Sequence, residues 1–268
     1  MAIVKSIYRY PGAKARLLNV IMPEINKIIS GKDYFADCFV GGGSVTIEVA
    51  KQHKNLHIYV NDKNYNIFSF WKILSEDNVS AVLELNNLLN IKPTVDLFYD
   101  LKSENATDLV RSAYKGIFLN RCSFSGMGIN PIGGKDQKSK YKVDCRFNSE
   151  KLKNTILELH KLLKNRMTAS NCDINDYSIL LDDSIPAYLD PPYYQVGKDL
   201  YNVYMSHEEH EKLSNILNQR GDWVLSYDDN SNIKKFYNSK KITNISAKYS
   251  INGIKTNWAE KQELLITP

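Results

Sequence analysis

No run in the sequence approaches the roughly 18 consecutive apolar residues of a membrane-spanning helix, which excludes a helical membrane protein. The opening residues, MAIVKSIYRYPGAK, lack an apolar signal core, so a cytoplasmic protein is the expectation. Cysteine is scarce. Cys38, Cys122, Cys145 and Cys172 are far apart and form no C-x-x-C pair. That spacing excludes a disulfide framework and a cysteine zinc site, and reads as reduced, mostly buried thiols. Internal repeats, low-complexity tracts and Pro/Gly/Ser linkers are all missing, leaving one large domain or a domain with an insertion. A G-x-G-x-x-G fingerprint is absent too, so a nicotinamide cofactor is not the natural inference. His207 and His210 in SHEEHEK match neither H-E-x-x-H nor H-x-x-E-H, because residue 211 is Glu. Ser206 followed by Glu208 and Glu209 reads instead as a capped helix start. No metal is expected.

What is present is ordinary in amount and uneven in placement. Apolar residues make up 43% and charged residues 24%, as in soluble globular proteins, and the net charge is a mild +5. Lys135, Lys138, Lys140, Lys142 and Arg146 crowd one segment, followed by Lys151, Lys153, Lys161, Lys164 and Arg166. Such a cluster fits phosphate contact, and equally a solvated helix face with Glu150 and Glu158 interspersed.

Strand-like runs occur at DYFADCF (33–39), LHIYVND (56–62), MTASNCD, SIPAYLD, DWVLSYD and KITNISAKY. Helical periodicity fills TIEVAKQ, IFSFWKILSE, SAVLELNNLL, VDLFYDLKS, TDLVRSAYKGIFLN and SEKLKNTILELHKLLKN. Strands alternating with helices at both ends predict a Rossmann-like α/β fold with a mostly parallel sheet covered on both faces. The helical, basic middle reads as an insertion, giving 1–63 and 166–268 as two parts of one domain around residues 64–165. Near the C-terminus, Asn252-Gly253 between two extended runs predicts an antiparallel hairpin.

Two constellations carry chemistry. In DCFVGGGSV, Gly41, Gly42 and Gly43 lie between a strand and a helix start and allow close backbone approach by a ligand. Asp62 ends the next strand, 19 residues beyond Gly43 (62 − 43), at the spacing of an acid that holds ribose hydroxyls. A nucleoside-containing ligand follows. The second constellation is AYLDPPYYQ (187–195), in which Pro191 and Pro192 end a buried strand and leave Asp190 at its carboxyl end beside Tyr193 and Tyr194. A carboxylate next to a proline-fixed carbonyl can accept both hydrogens of an exocyclic amine while a ring stacks on the base that carries it. For Tyr194, packing under the loop is the plainer reading.

At these residues the chain resembles the Dam-type (alpha-class) DNA adenine methyltransferases, which use S-adenosylmethionine. RYPGAKARLL is similar to that family's aromatic-x-G-G-K segment, with Ala13 at the second glycine. FADCFVGGGSV is similar to its cofactor loop, with Asp37-Cys38 in place of Glu-Pro. VNDKN resembles its ribose motif, DPPY is its catalytic motif unchanged, and FLNRCSFSG (118–126) is similar to its N-R-x-x-F-x-G signature. The motifs stand in the family's order and span nearly the whole chain.

The resemblance implies a cofactor site lined by Tyr10, Lys14, Asp37, Phe39, Gly41, Gly43, Asp62 and Asp173, with Asp190 adjoining it. It implies that Asp190, Pro191, Pro192 and Tyr193 carry the transfer, without a metal, to the N6 amine of an adenine flipped out of double-stranded DNA. Within the insertion it implies DNA contact by Asn120, Arg121, Ser123 and Ser125, with Phe124 as wedge or packing residue. Lys135, Lys138, Lys140 and Arg146 would track the duplex. It leaves room for a separately encoded cognate restriction endonuclease and implies action as a monomer. Cytosine-N4 methylation uses nearly the same chemistry, but more often with Ser first in the tetrapeptide and with permuted motifs. A catalytically idle DNA-binding relative and an RNA methyltransferase also stay open at this point.

Overall fold

A computed structural model describes residues 5–9, 14–194, 204–250 and 258–268. In chain order its elements are α1 (Leu18–Ile28), β1 (Tyr34–Asp37), α2 (Ser44–Gln52), β2 (His57–Asn61), α3 (Tyr65–Ser75), α4 (Val79–Leu88), α5 (Val95–Ser103), α6 (Leu109–Cys122) and α7 (Ser149–Leu163). They continue with β3 (Met167–Ser170), α8 (Ser178–Leu181), β4 (Ala187–Leu189), α9 (His207–Gln219), β5 (Trp223–Asp228), α10 (Ser231–Phe236), β6 (Lys241–Ser250) and β7 (Trp258–Thr267). The protein is mixed α/β with a seven-stranded sheet, mostly parallel with an antiparallel C-terminal pair, as the strand and helix periodicities predict. The chain divides into two compact units, one of residues 1–13 and 40–171 and one of residues 14–39 and 172–268.

The second unit contains the strands in the order β1-β4-β5-β7-β6. All three residues of β4 and all six of β5 are buried, the continuous burial expected of parallel strands covered on both faces. β1 pairs with β4 (Ala36 opposite Ala187, Asp37 opposite Tyr188), and β4 pairs with β5 (Leu189 opposite Leu225). Parallel registers bring the carboxyl ends of these strands to one edge, so Asp37 and Asp190 emerge there together. β7 then runs antiparallel to β5, with Glu263 opposite Asp228, and β6 pairs along its whole length. The predicted Asn252-Gly253 turn lies outside the described residues.

In the first unit β2 and β3 pair in parallel, and helices α3 to α7 lie between them in sequence. α6 packs against α3, α4 and α5 around Phe70, Trp71, Phe98, Tyr114 and Phe118, all buried. Local sequence sets where these helices begin. The side chains of Asn64, Asn78, Thr94, Asp108 and Asn148 each accept a backbone N–H of the first turn, a cap contributing about 0.5–2 kcal/mol.

Candidate active site

Asp190 stands just beyond β4, partly exposed, where Pro191 and Pro192 have stopped the ladder. Its Oδ1 lies 2.6 Å from the Lys14 ammonium, which is buried at 5% exposure and also 3.6 Å from Glu263 Oε2. Lys14 donates to the Tyr193 hydroxyl at 2.9 Å, and its ammonium sits 5.1 Å from the centre of that ring. Burial works against a charged lysine, but Asp190, Tyr188 and Glu263 outweigh it and hold Lys14 protonated, above its usual range. One cation thus ties the acid of the tetrapeptide to its tyrosine. Glu263 is fully buried, and sequence reasoning missed it; a single acid ahead of the apolar Leu264-Leu265-Ile266 run was the available signal.

Tyr194 closes the same loop. Its backbone N–H donates to Asp228 Oδ1 at 3.1 Å, and its hydroxyl accepts from Asn232 (3.0 Å) and meets His207 Nδ1 at 2.7 Å. That hydroxyl is built into α9 and α10, in line with the packing reading. The start of α9 has the expected cap, with Ser206 and Glu209 forming a reciprocal capping box. His210 is buried against Tyr227, with Nδ1 2.6 Å from the phenol oxygen, and burial pushes its pKa down to about 4. Asp37 is buried at the end of β1 and Phe39 is half-buried just after it. Asp173 caps a short turn by accepting from the backbone and side-chain nitrogens of Asn175, both at 3.1 Å.

The glycine loop belongs to the first unit. Gly41 and Gly43 hold φ of +44° and +65°, the left-handed region where a side chain is strained. Trp71 of α3 clamps the loop: its Nε1 donates to Gly41 O at 3.0 Å, and its ring lies 2.3 Å from where a Gly43 Cβ would stand. Asp62 braces the other side, accepting from the Gly41 N–H on Oδ2 and the Asn64 N–H on Oδ1, both at 2.9 Å. Burial raises its carboxyl to about 6 against those two donors. Trp71 was hidden in the sequence, where it reads only as one apolar position of a helix. Tyr10 lies outside the described residues.

The NRCSFSG segment splits into groups that build the loop and groups that face out. Asn120 is buried, accepting from the Arg9 N–H (2.8 Å) and donating to Arg9 O and Gly126 O (2.9 Å each). Ser123 is buried and accepts from the Gly128 N–H at 2.8 Å. Beyond them Phe124 is 66% exposed, and Ser125 takes a left-handed φ of +54°. Arg121 and Arg9 have buried guanidinium nitrogens, Nε and Nη1 respectively, with no hydrogen-bond partner among the described residues. Desolvation and then Arg9 lower Arg121 to about 10, while desolvation and then Arg146 lower Arg9. Sequence reasoning missed Arg9. Lys135, Lys138, Lys140 and Arg146 are exposed on a loop folded around Gln137, which donates to Ile132 O at 2.8 Å and accepts from the Val143 N–H at 2.8 Å. Lys153, Lys164 and Arg166 instead serve the fold, paired with Glu150, Asp77 and the His53 carbonyl.

Two comparisons bear on this arrangement. A family model described as D12 class N6 adenine-specific DNA methyltransferase matches residues 10–251. A type II methyltransferase, M.CviBI of Paramecium bursaria Chlorella virus NC1A, is 25% identical over 186 residues, covering 68% of this chain and 68% of its own length.

Proposed function

The chain belongs to the D12 class of N6 adenine-specific DNA methyltransferases, and from that premise we propose how its residues divide the work, with S-adenosylmethionine as methyl source. The observation that carries the proposal is Asp190 at the end of β4, ion-paired with the buried cation that also holds Tyr193. When bound, S-adenosylmethionine supplies an electrophilic sulfonium methyl. Asp62 suits its ribose: each carboxylate oxygen has one backbone donor, and a carboxylate offers about four acceptor positions, leaving capacity for two hydroxyls. Gly41 and Gly43 give that ligand a wall of bare backbone. Tyr10, Lys14, Asp37, Phe39 and Asp173 complete this set by family resemblance.

The target adenine leaves the duplex at a cost of a few kcal/mol, since its amine cannot be reached inside the stack. Asp190 and the Pro191 carbonyl accept the two amine hydrogens, drawing the nitrogen lone pair out of conjugation. Pro192 stiffens the turn, and Tyr193 stacks on the base. The freed lone pair would take the methyl group that bound S-adenosylmethionine supplies, with the electrons of the broken S–C bond left on that ligand, and Asp190 would take the surplus amine proton. Positioning and electrostatics supply the rate, and no covalent enzyme intermediate is needed.

Residues 64–165 serve as the target-recognition insertion between the catalytic parts 1–63 and 166–268. Arg9, Arg121 and Arg146 meet DNA phosphates, which would satisfy the partnerless guanidinium nitrogens. Phe124 acts as a wedge against the stack, Asn120 and Ser123 hold its loop, and Ser125 reaches the DNA backbone. Lys135, Lys138 and Lys140 track the duplex. The protein acts as a monomer in the cytoplasm; no helix among the described residues is long and apolar enough to cross a membrane. By family resemblance, a separately encoded cognate endonuclease is a further partner.

Modification-sensitive sequencing of DNA from a methylation-deficient host expressing the chain tests this reading against an Asp190→Ala control. N6-methyladenine at one recurring short site, absent from the control, is the expected result. Methylcytosine, or unmodified DNA from a host with soluble protein, contradicts it.

A further inference from the structure

The two histidines of SHEEHEK, which fit no metal motif, find a partner in the residue just after the DPPY tetrapeptide. His207 and His210 stand one turn apart at the start of α9, and the Tyr194 ring packs against both. Its centre lies 5.9 Å from the His207 ring and 5.2 Å from the His210 ring. His210 is buried and bonded to Tyr227 of β5, so that side of the seat is fixed. The Tyr194 hydroxyl meets His207 Nδ1 at 2.7 Å and accepts from Asn232 Nδ2 of α10 at 3.0 Å. With Asn232 donating, the hydroxyl hydrogen is left for His207, whose Nδ1 accepts it when the ring proton is on Nε2. The Tyr194 backbone N–H is held as well, by Asp228 at the end of β5. Main chain and side chain together thus tie Tyr194 to three elements, more than the burial of a ring under a loop requires.

We propose that His207 and Asn232 are positioning residues for methyl transfer, acting through Tyr194 to fix the downstream end of the DPPY turn. The upstream end is set by Pro191 and Pro192, whose rings restrict φ. Tyr193 stands between the second proline and Tyr194, so the direction of its ring follows the backbone on both sides. Lys14 holds the Tyr193 hydroxyl; Tyr194 holds the chain from which that ring projects. The base that Tyr193 stacks on arrives from the duplex, and a turn already ordered does not have to be ordered at that moment. Loosening the turn lowers the fraction of bound complexes aligned for transfer. It therefore lowers the rate, while the contacts that bind cofactor and DNA stay in place.

This inference rests on the methyltransferase reading, and the wild-type chain acting on DNA from a methylation-deficient host is the control that separates the two. No transfer by wild-type protein would sink the reading itself. The test proper is single-turnover transfer at saturating cofactor and DNA, with dissociation constants for both and a thermal melt. Tyr194→Phe keeps the ring and removes only the hydroxyl. It should transfer more slowly by on the order of tenfold, with dissociation constants within about threefold of wild type and a melting temperature within about 4 °C. His207 is exposed, so it can be replaced without opening the core. His207→Asn sets a side-chain oxygen near the place of Nδ1 and should recover most of the rate that His207→Leu loses. If Tyr194 only packs, Tyr194→Phe would transfer within about threefold of the wild-type rate per folded molecule. That result, a loss confined to binding, or equal rates for His207→Asn and His207→Leu overturns the inference. Where Tyr194→Phe is not recovered folded, the two His207 variants carry the test by themselves.

Discussion

Asp62 holds the glycine loop with one lone pair on each oxygen, and its carboxyl is raised to about 6 by burial. Below that pH it takes up a proton and loses acceptor strength towards a ribose. Calorimetric titration should show affinity for S-adenosylmethionine falling between pH 7.5 and pH 5.5. Asp62→Asn should bind more weakly at pH 7.5 and show little change across that window. A wild-type affinity flat with pH would remove Asp62 from the ribose contact. Asn120 and Phe124 are neighbours with opposite consequences. Truncating Asn120 to Ala strands the Arg9 N–H and two carbonyls, and should cost about 1–3 kcal/mol of stability by denaturant unfolding. Truncating the exposed Phe124 should change stability by less than about 0.5 kcal/mol while reducing methylation of duplex DNA far more than that of a mismatched or single-stranded target.

At the level of elements, the glycine loop and α3 stand or fall together. An alanine at position 43 would place its Cβ 2.3 Å from the Trp71 ring at a φ of +65°. Gly43→Ala should therefore destabilise the chain by about 1–3 kcal/mol and weaken cofactor binding more than Gly42→Ala does. Most elements were legible in the sequence. β4 and β5 read as strand-like runs and are buried throughout, and α3 to α7 read from their helical periodicity. The places of Asp190 and Asp62 just beyond strand ends were legible, Asp190 from the prolines that follow it and Asp62 from its position at the end of the second strand-like run. Glu263, Trp71 and Arg9 were not, since each acts on a residue far away in sequence. Lys14 to Glu263 is a tertiary relation that no local spacing encodes. In NRCSFSG, motif resemblance grouped residues that the fold separates into buried struts and outward-facing groups.

For the molecule as a whole, a mild net charge of +5 conceals the exposed cations on the loop around Gln137. Each phosphate contact contributes about −0.9 to the slope of log affinity against log salt for duplex DNA. The K135A/K138A/K140A variant should thus bind more weakly and with a slope shallower by about 2–3; an unchanged slope would take these lysines off the duplex. Stability should also respond to acid through His210. Its folded pKa is pushed to about 4 by burial, while an unfolded histidine titrates near about 6.5. Between those values the unfolded chain takes up a proton that the folded chain refuses, so stability falls as pH drops. Asp62, raised when folded, acts with the opposite sign below about pH 6. His210→Asn should therefore show less acid-induced loss of melting temperature between pH 6.5 and 4.5 than wild type. The most direct single measurement is mass spectrometry of nucleosides from unmethylated duplex DNA incubated with purified chain and methyl-labelled S-adenosylmethionine. Labelled N6-methyldeoxyadenosine from the wild-type chain and none from Asp190→Ala is the predicted result. Label in N4-methyldeoxycytidine, or equal label from both proteins, would contradict adenine methylation carried by Asp190.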